Sequence, residues 1–248
     1  MRRRILILFT LYLTVFFVFA YYANDHQKLI AHRGLVSRLH CENTISSFTA
    51  AGQNPRFTGI ETDVQDTKDG QIMIFHDPTM NKKTDGKGML NDHSYHYIEH
   101  IRYRQGNKLP TLKQYLEVCK KYHKIAFIEL KQIRDQRVDR VLQTVAQMHM
   151  EKQAVILSSS RIQIMIVRYF NKTIPVYYIT YDRPATHSDF YFVRKYHCGI
   201  DAQIRYLTYN QVQYAKKHHI PFAVWVARNP YDCLKLLFYH VHTITTQS

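Results

Sequence analysis

Glycine and proline are scarce, 8 and 7 residues in a chain of 248, which excludes collagen-like and linker-type material. No repeat at a solenoid period and no low-complexity tract runs through the sequence, so stacked-repeat architectures fall away as well. Cysteine is limited to Cys41, Cys119, Cys198 and Cys233, none of them in a Cys-x-x-Cys pair. That spacing argues against a zinc cage. Four cysteines would allow three disulfide pairings if oxidised; the expectation is that most are plain buried thiols. Acidic residues are also few, 19 against 34 lysines and arginines, for a net charge of +15. Such an excess attracts nucleic acid, anionic lipid headgroups or phosphate-bearing substrates. The basic residues are nevertheless scattered, with Lys82-Lys83, Lys120-Lys121 and Lys216-Lys217 as short pairs, so most of the charge reads as a solvated surface. Zinc fingers, aromatic–basic RNA motifs and a concentrated basic helix are all lacking, and nucleic acid is not an expected partner.

What is present is a chain with 46% apolar residues, enough for one sizeable core. It opens Met1-Arg2-Arg3-Arg4, followed by an uncharged, mostly apolar run over residues 5–23. At about 1.5 Å per residue such a run just spans a hydrocarbon core of roughly 30 Å. Tyr21 and Tyr22 fall where an aromatic belt would lie, and the arginines would stay in the cytoplasm. Residues 1–24 are therefore expected to form a transmembrane signal anchor, with residues 25–248 as one extracytoplasmic domain at the cell membrane. The competing reading is a signal peptide cleaved after Val18-Phe19-Ala20, which would make the domain secreted.

Beyond this segment, apolar runs alternate with amphipathic stretches. Strands are predicted over 28–32, 58–64, 71–76, 125–130, 154–158, 175–179, 199–202, 221–226 and 242–245. Helices are predicted over 44–52, 111–122, 135–150, 162–170, 188–196, 209–218 and 231–239, from apolar residues at helical spacing and a capping signal at Pro110-Thr111. Repeated strand–helix units argue for a parallel sheet with helices outside. About eight unit strands point to a closed (β/α)8 barrel of the TIM type. The 71–76 strand and the polar stretch 77–109 read as an insertion after the second strand.

In such a barrel, reactive groups sit at the C-terminal ends of strands. Read in order, those ends are His32-Arg33-Gly34, Glu61-Thr62-Asp63, His76-Asp77 and Glu129-Leu130-Lys131. Glu61 and Asp63 are two apart, so both point to one face. With Glu129 from a neighbouring strand, three carboxylates would converge and repel one another. A hard divalent cation, Mg2+ or Ca2+, would remove that cost. His32 and His76 can exchange protons near neutral pH, and Arg33 and Lys131 supply fixed positive charge for a phosphate oxygen.

No single one of these residues is diagnostic, with 15 histidines in the chain; the joint pattern is. Ala31-His32-Arg33-Gly34 with Glu42-Asn43-Thr44, Ile60-Glu61-Thr62-Asp63-Val64 with Thr67-Lys68-Asp69-Gly70, and Phe75-His76-Asp77-Pro78 with Thr84-Asp85-Gly86-Lys87-Gly88 resemble three blocks of the glycerophosphodiester phosphodiesterase family. Leu109-Pro110-Thr111-Leu112 and Glu129-Leu130-Lys131 are similar to two more. The resemblance implies a (β/α)8 barrel with a small insertion, a metal held by Glu61, Asp63 and Glu129, and His32 and His76 as acid–base pair. Arg33 and Lys131 would bind phosphate, Glu42 would lie in the pocket, and Trp225 would stand where the family has a pocket tryptophan. It also implies a reaction: the free glycerol hydroxyl attacks phosphorus, the headgroup alcohol leaves, and water opens the cyclic phosphate to glycerol 3-phosphate. A phospholipase-type activity on membrane lipid or polymeric glycerophosphate is the alternative, and a non-catalytic binding protein the reading from another class. The later half departs in places: Ser158-Ser159-Ser160 fits loosely, Thr246 replaces a usual Asp, and no helix follows the last strand before Ser248, so that strand is expected to be poorly covered.

Overall fold

The computed structural model describes residues 27–247, together with Thr10 and Thr14. The N-terminal apolar run falls almost wholly outside the described residues. Among those described, no helix is long and apolar enough to cross a membrane.

Eight parallel strands close on themselves. They are β1 (Lys28–Ala31), β2 (Phe57–Asp66), β4 (Ile125–Gln132), β5 (Ala154–Ser158), β6 (Val176–Thr180), β7 (Gly199–Gln203), β8 (Phe222–Ala227) and β9 (Thr243–Thr246). Each pairs with the next, and β9 returns to β1. The remaining strand, β3 (Ile72–Ile74), runs antiparallel on β2. The helices are α1 (Ile45–Gln53), α2 (Tyr95–Ile98), α3 (Leu112–Lys121), α4 (Val138–Gln147), α5 (Arg161–Phe170), α6 (His187–Lys195), α7 (Tyr209–Lys217) and α8 (Pro230–Phe238). The predicted 135–150 helix begins instead with a 3-10 turn, Asp135–Arg137, before α4.

Alternation along the strands divides the core in two. Ile30, Phe127, Val155, Leu157 and Ile179 fill the barrel interior. Ile60, Ala126, Ile128, Ile156, Ile200 and Ile244 face outward into the layer shared with the helices. The last strand is better covered than its sequence neighbourhood predicts: Ile244 is fully buried and Thr245 is 4% exposed. Gly59 is required inside, because a Cβ there would lie 2.8 Å from the Ile125 carbonyl oxygen and 2.9 Å from Ile30. Residues 77–109 hold a 3-10 turn, Leu90–Asp92, and α2. They close over a small apolar cluster of their own, with Met73, Phe75, Met80, Leu90, Ile98, Ile101, Tyr103 and Leu109. No two cysteines are bonded; Cys119 and Cys198 are buried thiols, and Cys41 and Cys233 are half-buried.

Helix ends follow a rule that compensates for the scarce glycine. Helices begin at side-chain caps, among them Thr44, Thr111, Ser160, Thr186, Thr208 and Asn229, which satisfy otherwise unpaired backbone donors. Five helices close on a histidine in the left-handed conformation, at His123, His149, His197, His219 and His240, with φ between 51° and 61°. At each, the following residue's N–H returns to the carbonyl five residues back, as in Met150 to Val145 at 3.0 Å and Ile220 to Ala215 at 2.9 Å. This is the Schellman closure, usually entrusted to glycine. All five imidazoles are exposed, and each precedes the start of a strand, which puts them on the face opposite the strand C-termini.

Candidate active site

Register places the strand-end residues. Asp63 on β2 is level with Glu129 on β4, and Ala31 on β1 is level with Ile60 on β2, so His32 falls beside Glu61. The turn after β1 runs left-handed through Arg33 and Gly34, with φ of 58° and 84°. A Cβ at Gly34 would meet Ser47 at 2.6–2.8 Å, so only glycine fits. The turn aims the Arg33 N–H at Glu61 Oε2, 2.9 Å away. The Arg33 guanidinium then reaches Glu42 Oε2 at 3.1 Å and Asp63 Oδ2 at 3.2 Å.

Glu61, Asp63 and Glu129 each bring an oxygen within 4.8 Å of the others, and all three are buried. Asn43 Nδ2 donates to Asp63 Oδ2 at 2.8 Å, and Thr62 donates to Asn43 Oδ1 at 2.9 Å. Lys131 Nζ lies 2.6 Å from Glu129 Oε1 and 3.7 Å from Asp63 Oδ1. Tyr181, just past β6, donates to Glu129 and receives a hydrogen bond from Lys131 at 2.6 Å; its ring meets Trp225 edge to face at 5.2 Å between centroids. On the insertion side, His76 Nδ1 is 2.8 Å from Asp77 Oδ1. Gln65 holds that turn through the carbonyls of Phe75 and Asp77 at 3.0 and 2.9 Å. Lys83 bridges Glu42 and Asp77.

The electrostatics are those of an overcrowded acidic centre. Burial, then the charges of Asp63 and Glu129, hold the Glu61 carboxyl well above the usual range. Burial and Asp63 push Glu129 up. Burial opposes ionisation of Asp63 too, but Arg33, Lys131, His76 and the Asn43 hydrogen bond outweigh it, and its pKa is lowered. Burial and then Arg33 push His32 down to about 4, so its ring is neutral at neutral pH. Glu61 Oε1 and Asp63 Oδ1 are buried with no hydrogen-bond partner. Orphaned carboxylate oxygens are costly, and an oxygen-only set of three suits a hard divalent cation.

All nine residues singled out by sequence lie at this mouth or one contact from it; Trp225 joins through Tyr181 and Glu42 through Arg33. Sequence reasoning assigned no role to Asn43, Asp77, Lys83 or Tyr181. Asn43 and Asp77 stand inside the quoted motifs, which was the available signal. Tyr181 and Lys83 carried none beyond their positions near a strand end and in the insertion.

The family model for glycerophosphoryl diester phosphodiesterases matches residues 32–248. The chain belongs to that family. Glycerophosphodiester phosphodiesterase 1 of Mus musculus is 31% identical over 116 residues, 43% of this chain and 34% of the relative. The glycerophosphodiester phosphodiesterase of Caldanaerobacter subterraneus is 36% identical over 110 residues, 42% of this chain and 44% of the relative. Those alignments thus span between a third and a half of the relatives' lengths. Among solved structures, an Oleispira antarctica phosphodiesterase in complex with sn-glycerol-3-phosphate superposes with a TM-score of 0.82 at 20% identity, over 90% of this chain and 93% of that one. A glycerophosphodiester phosphodiesterase from Parabacteroides distasonis gives 0.77 at 23% identity, over 89% and 92%. At these identities the superpositions establish the barrel fold that the family shares.

Proposed function

We propose that this member of the glycerophosphodiester phosphodiesterase family hydrolyses glycerophosphodiesters to glycerol 3-phosphate and an alcohol, in a metal-dependent reaction. The observation that carries the reading is the meeting, in one barrel mouth, of three buried carboxylates, two of which keep an unpartnered oxygen, with two histidines and two fixed cations. Glu61, Asp63 and Glu129 would hold the metal, Mg2+ or Ca2+, which would draw negative charge from a phosphate oxygen.

Arg33 offers its planar fork, and Lys131 a point charge, to the remaining phosphate oxygens. Asp77 holds one ring nitrogen of His76, leaving the other for the substrate. One histidine takes the proton of the glycerol hydroxyl as its oxygen bonds to phosphorus. The other protonates the departing headgroup oxygen as its bond to phosphorus breaks. With the roles reversed, water adds and the cyclic diester opens to glycerol 3-phosphate. An intramolecular nucleophile is already in place when the substrate binds. Trp225 and Tyr181 form an aromatic wall beside the phosphate site, and Glu42 orients Arg33.

The test is release of glycerol 3-phosphate from a panel of glycerophosphodiesters by the purified chain. Release that stops with chelator and returns with Mg2+ or Ca2+ supports the reading; no release with either cation overturns it. The net charge of +15 favours one alternative, attack on intact anionic lipid or polymeric glycerophosphate, which turnover of intact against deacylated lipid separates. Residence at the membrane, through the basic and apolar N-terminal run, belongs to the same proposal. Recovery of the full chain in the aqueous fraction after high-salt washing of membranes would dismiss it.

A further inference from the structure

A second cavity, about 320 Å3, opens between the loop after β1 and the insertion. Its lining includes Cys41, Glu42, Lys82, Lys83, Tyr103 and Arg104. It adjoins the mouth directly: Glu42 touches Arg33 at 3.1 Å, and Lys83 lies 3.0 Å from Asp77, the partner of His76. A diester whose phosphate lies against Arg33 can therefore extend one of its two arms into this cavity.

The lining is cationic in excess. Its one carboxylate, Glu42, is already paired with both Arg33 and Lys83. Lys82 pairs with no carboxylate among the described residues, and the Arg104 guanidinium donates only to the backbone carbonyls of Lys82 and Asn81, at 2.8 and 3.1 Å. A separate observation points to a ligand. Tyr103 is 2% exposed, and its hydroxyl is buried with no hydrogen-bond partner. Tyr103 itself lines the cavity, and its orphaned hydroxyl is satisfied once the side chain turns it onto a polar ligand atom there.

We propose that this cavity receives the alcohol half of the diester and selects headgroups that carry an anionic group of their own, such as a second phosphate. The inference rests on the hydrolytic reading of the adjoining mouth. Lys82 and Arg104 meet the second anion by charge-assisted contacts, and the Tyr103 hydroxyl donates to it or to a neighbouring headgroup oxygen.

The experiment compares bis(glycerophospho)glycerol, whose leaving alcohol bears a phosphate, with glycerophosphoglycerol, whose leaving alcohol is neutral. The purified full chain should prefer the first by roughly tenfold in kcat/KM at low salt, with the preference shrinking as salt screens the exposed cations. The double variant Lys82→Glu/Arg104→Glu should lose that preference while its kcat/KM on glycerophosphoglycerol stays within about twofold. Lys82→Glu alone, which spares the loop contacts of Arg104, should lose part of it. Equal turnover of the two substrates by the unaltered chain, or a preference that survives charge reversal, overturns the proposal. Should neither substrate turn over, the hydrolytic reading fails first, and calorimetry of bis(glycerophospho)glycerol binding decides the cavity: binding weakened by charge reversal supports it, and binding absent or unchanged overturns it.

Discussion

Two buried acidic centres in this barrel are built on opposite terms. At the head of α6, Asp189 is wholly buried yet every lone pair is used: Oδ1 accepts from Arg161 and Arg183 at 2.8 and 3.0 Å, and Oδ2 from Arg183, the Thr186 N–H and the Thr186 hydroxyl at 2.5, 2.8 and 2.8 Å. At the mouth, Glu61, Asp63 and Glu129 crowd within 4.8 Å, and two of their oxygens have no donor. The first is a clamp that holds a loop to a helix. The second is a centre held in a costly arrangement by the strands beneath it, the kind of local conflict that marks a working site.

The sharpest way to break this contrast is to remove the chemistry and leave the fold. His32→Ala and His76→Ala should each lower glycerol 3-phosphate release by about 10²–10⁴-fold, with thermal melts unchanged. Full activity in both variants would end the assigned roles. Next in size is the clamp. Asp189→Asn keeps the shape but loses the charge that answers two guanidiniums, and should cost about 3 kcal/mol in denaturant unfolding. Burial pushes the Asp189 carboxyl up, but the bonds from Arg183, Thr186 and Arg161 outweigh it and hold the pKa well below the carboxylate range. The folded-state pKa therefore lies below the unfolded value of about 3.9. The contribution is complete above that value and is lost as pH falls through the folded-state pKa. The gap in stability between wild type and variant should hold at neutral pH and narrow in acid; a gap that widens in acid would refute the clamp.

At the mouth the sign reverses. Without divalent cation, Glu61→Gln should leave the protein as stable or gain about 1 kcal/mol, because one member of a repelling set is neutralised. With cation at 100 times Kd, the wild type should gain about 2.7 kcal/mol and the variant much less. A large loss of cation-free stability in Glu61→Gln would show that the two centres are alike after all. The smallest effect lies at the helix ends, where His149→Gly or His219→Gly should add about 0.5–1 kcal/mol by relieving a left-handed non-glycine residue.

How much of this was legible in the sequence depends on range. The barrel, the hairpin and the gathering of acidic and histidine side chains at the strand ends could be read because each depends on local period and order: Glu61 and Asp63 share a face by spacing alone, and Glu129 lies level with Asp63 on the next strand. Asn43 and Tyr181 depended on contacts that no period encodes. Asn43 reaches Asp63 only because α1 packs its cap beside β2, and Tyr181 reaches Glu129 across the β5 strand between them. The coverage of β9 was misjudged for the same reason, since Ile244 is buried by the assembled outer layer and not by its neighbours in sequence.

The five helix-closing histidines have a practical corollary. A third of the chain's 15 imidazoles are committed to backbone geometry, and all five stand exposed on the rim away from the mouth. An imidazole-acylating reagent would consume those rings early and the partly shielded His32 late. Counting modified rings against surviving turnover would then separate architectural histidines from working ones without a single substitution.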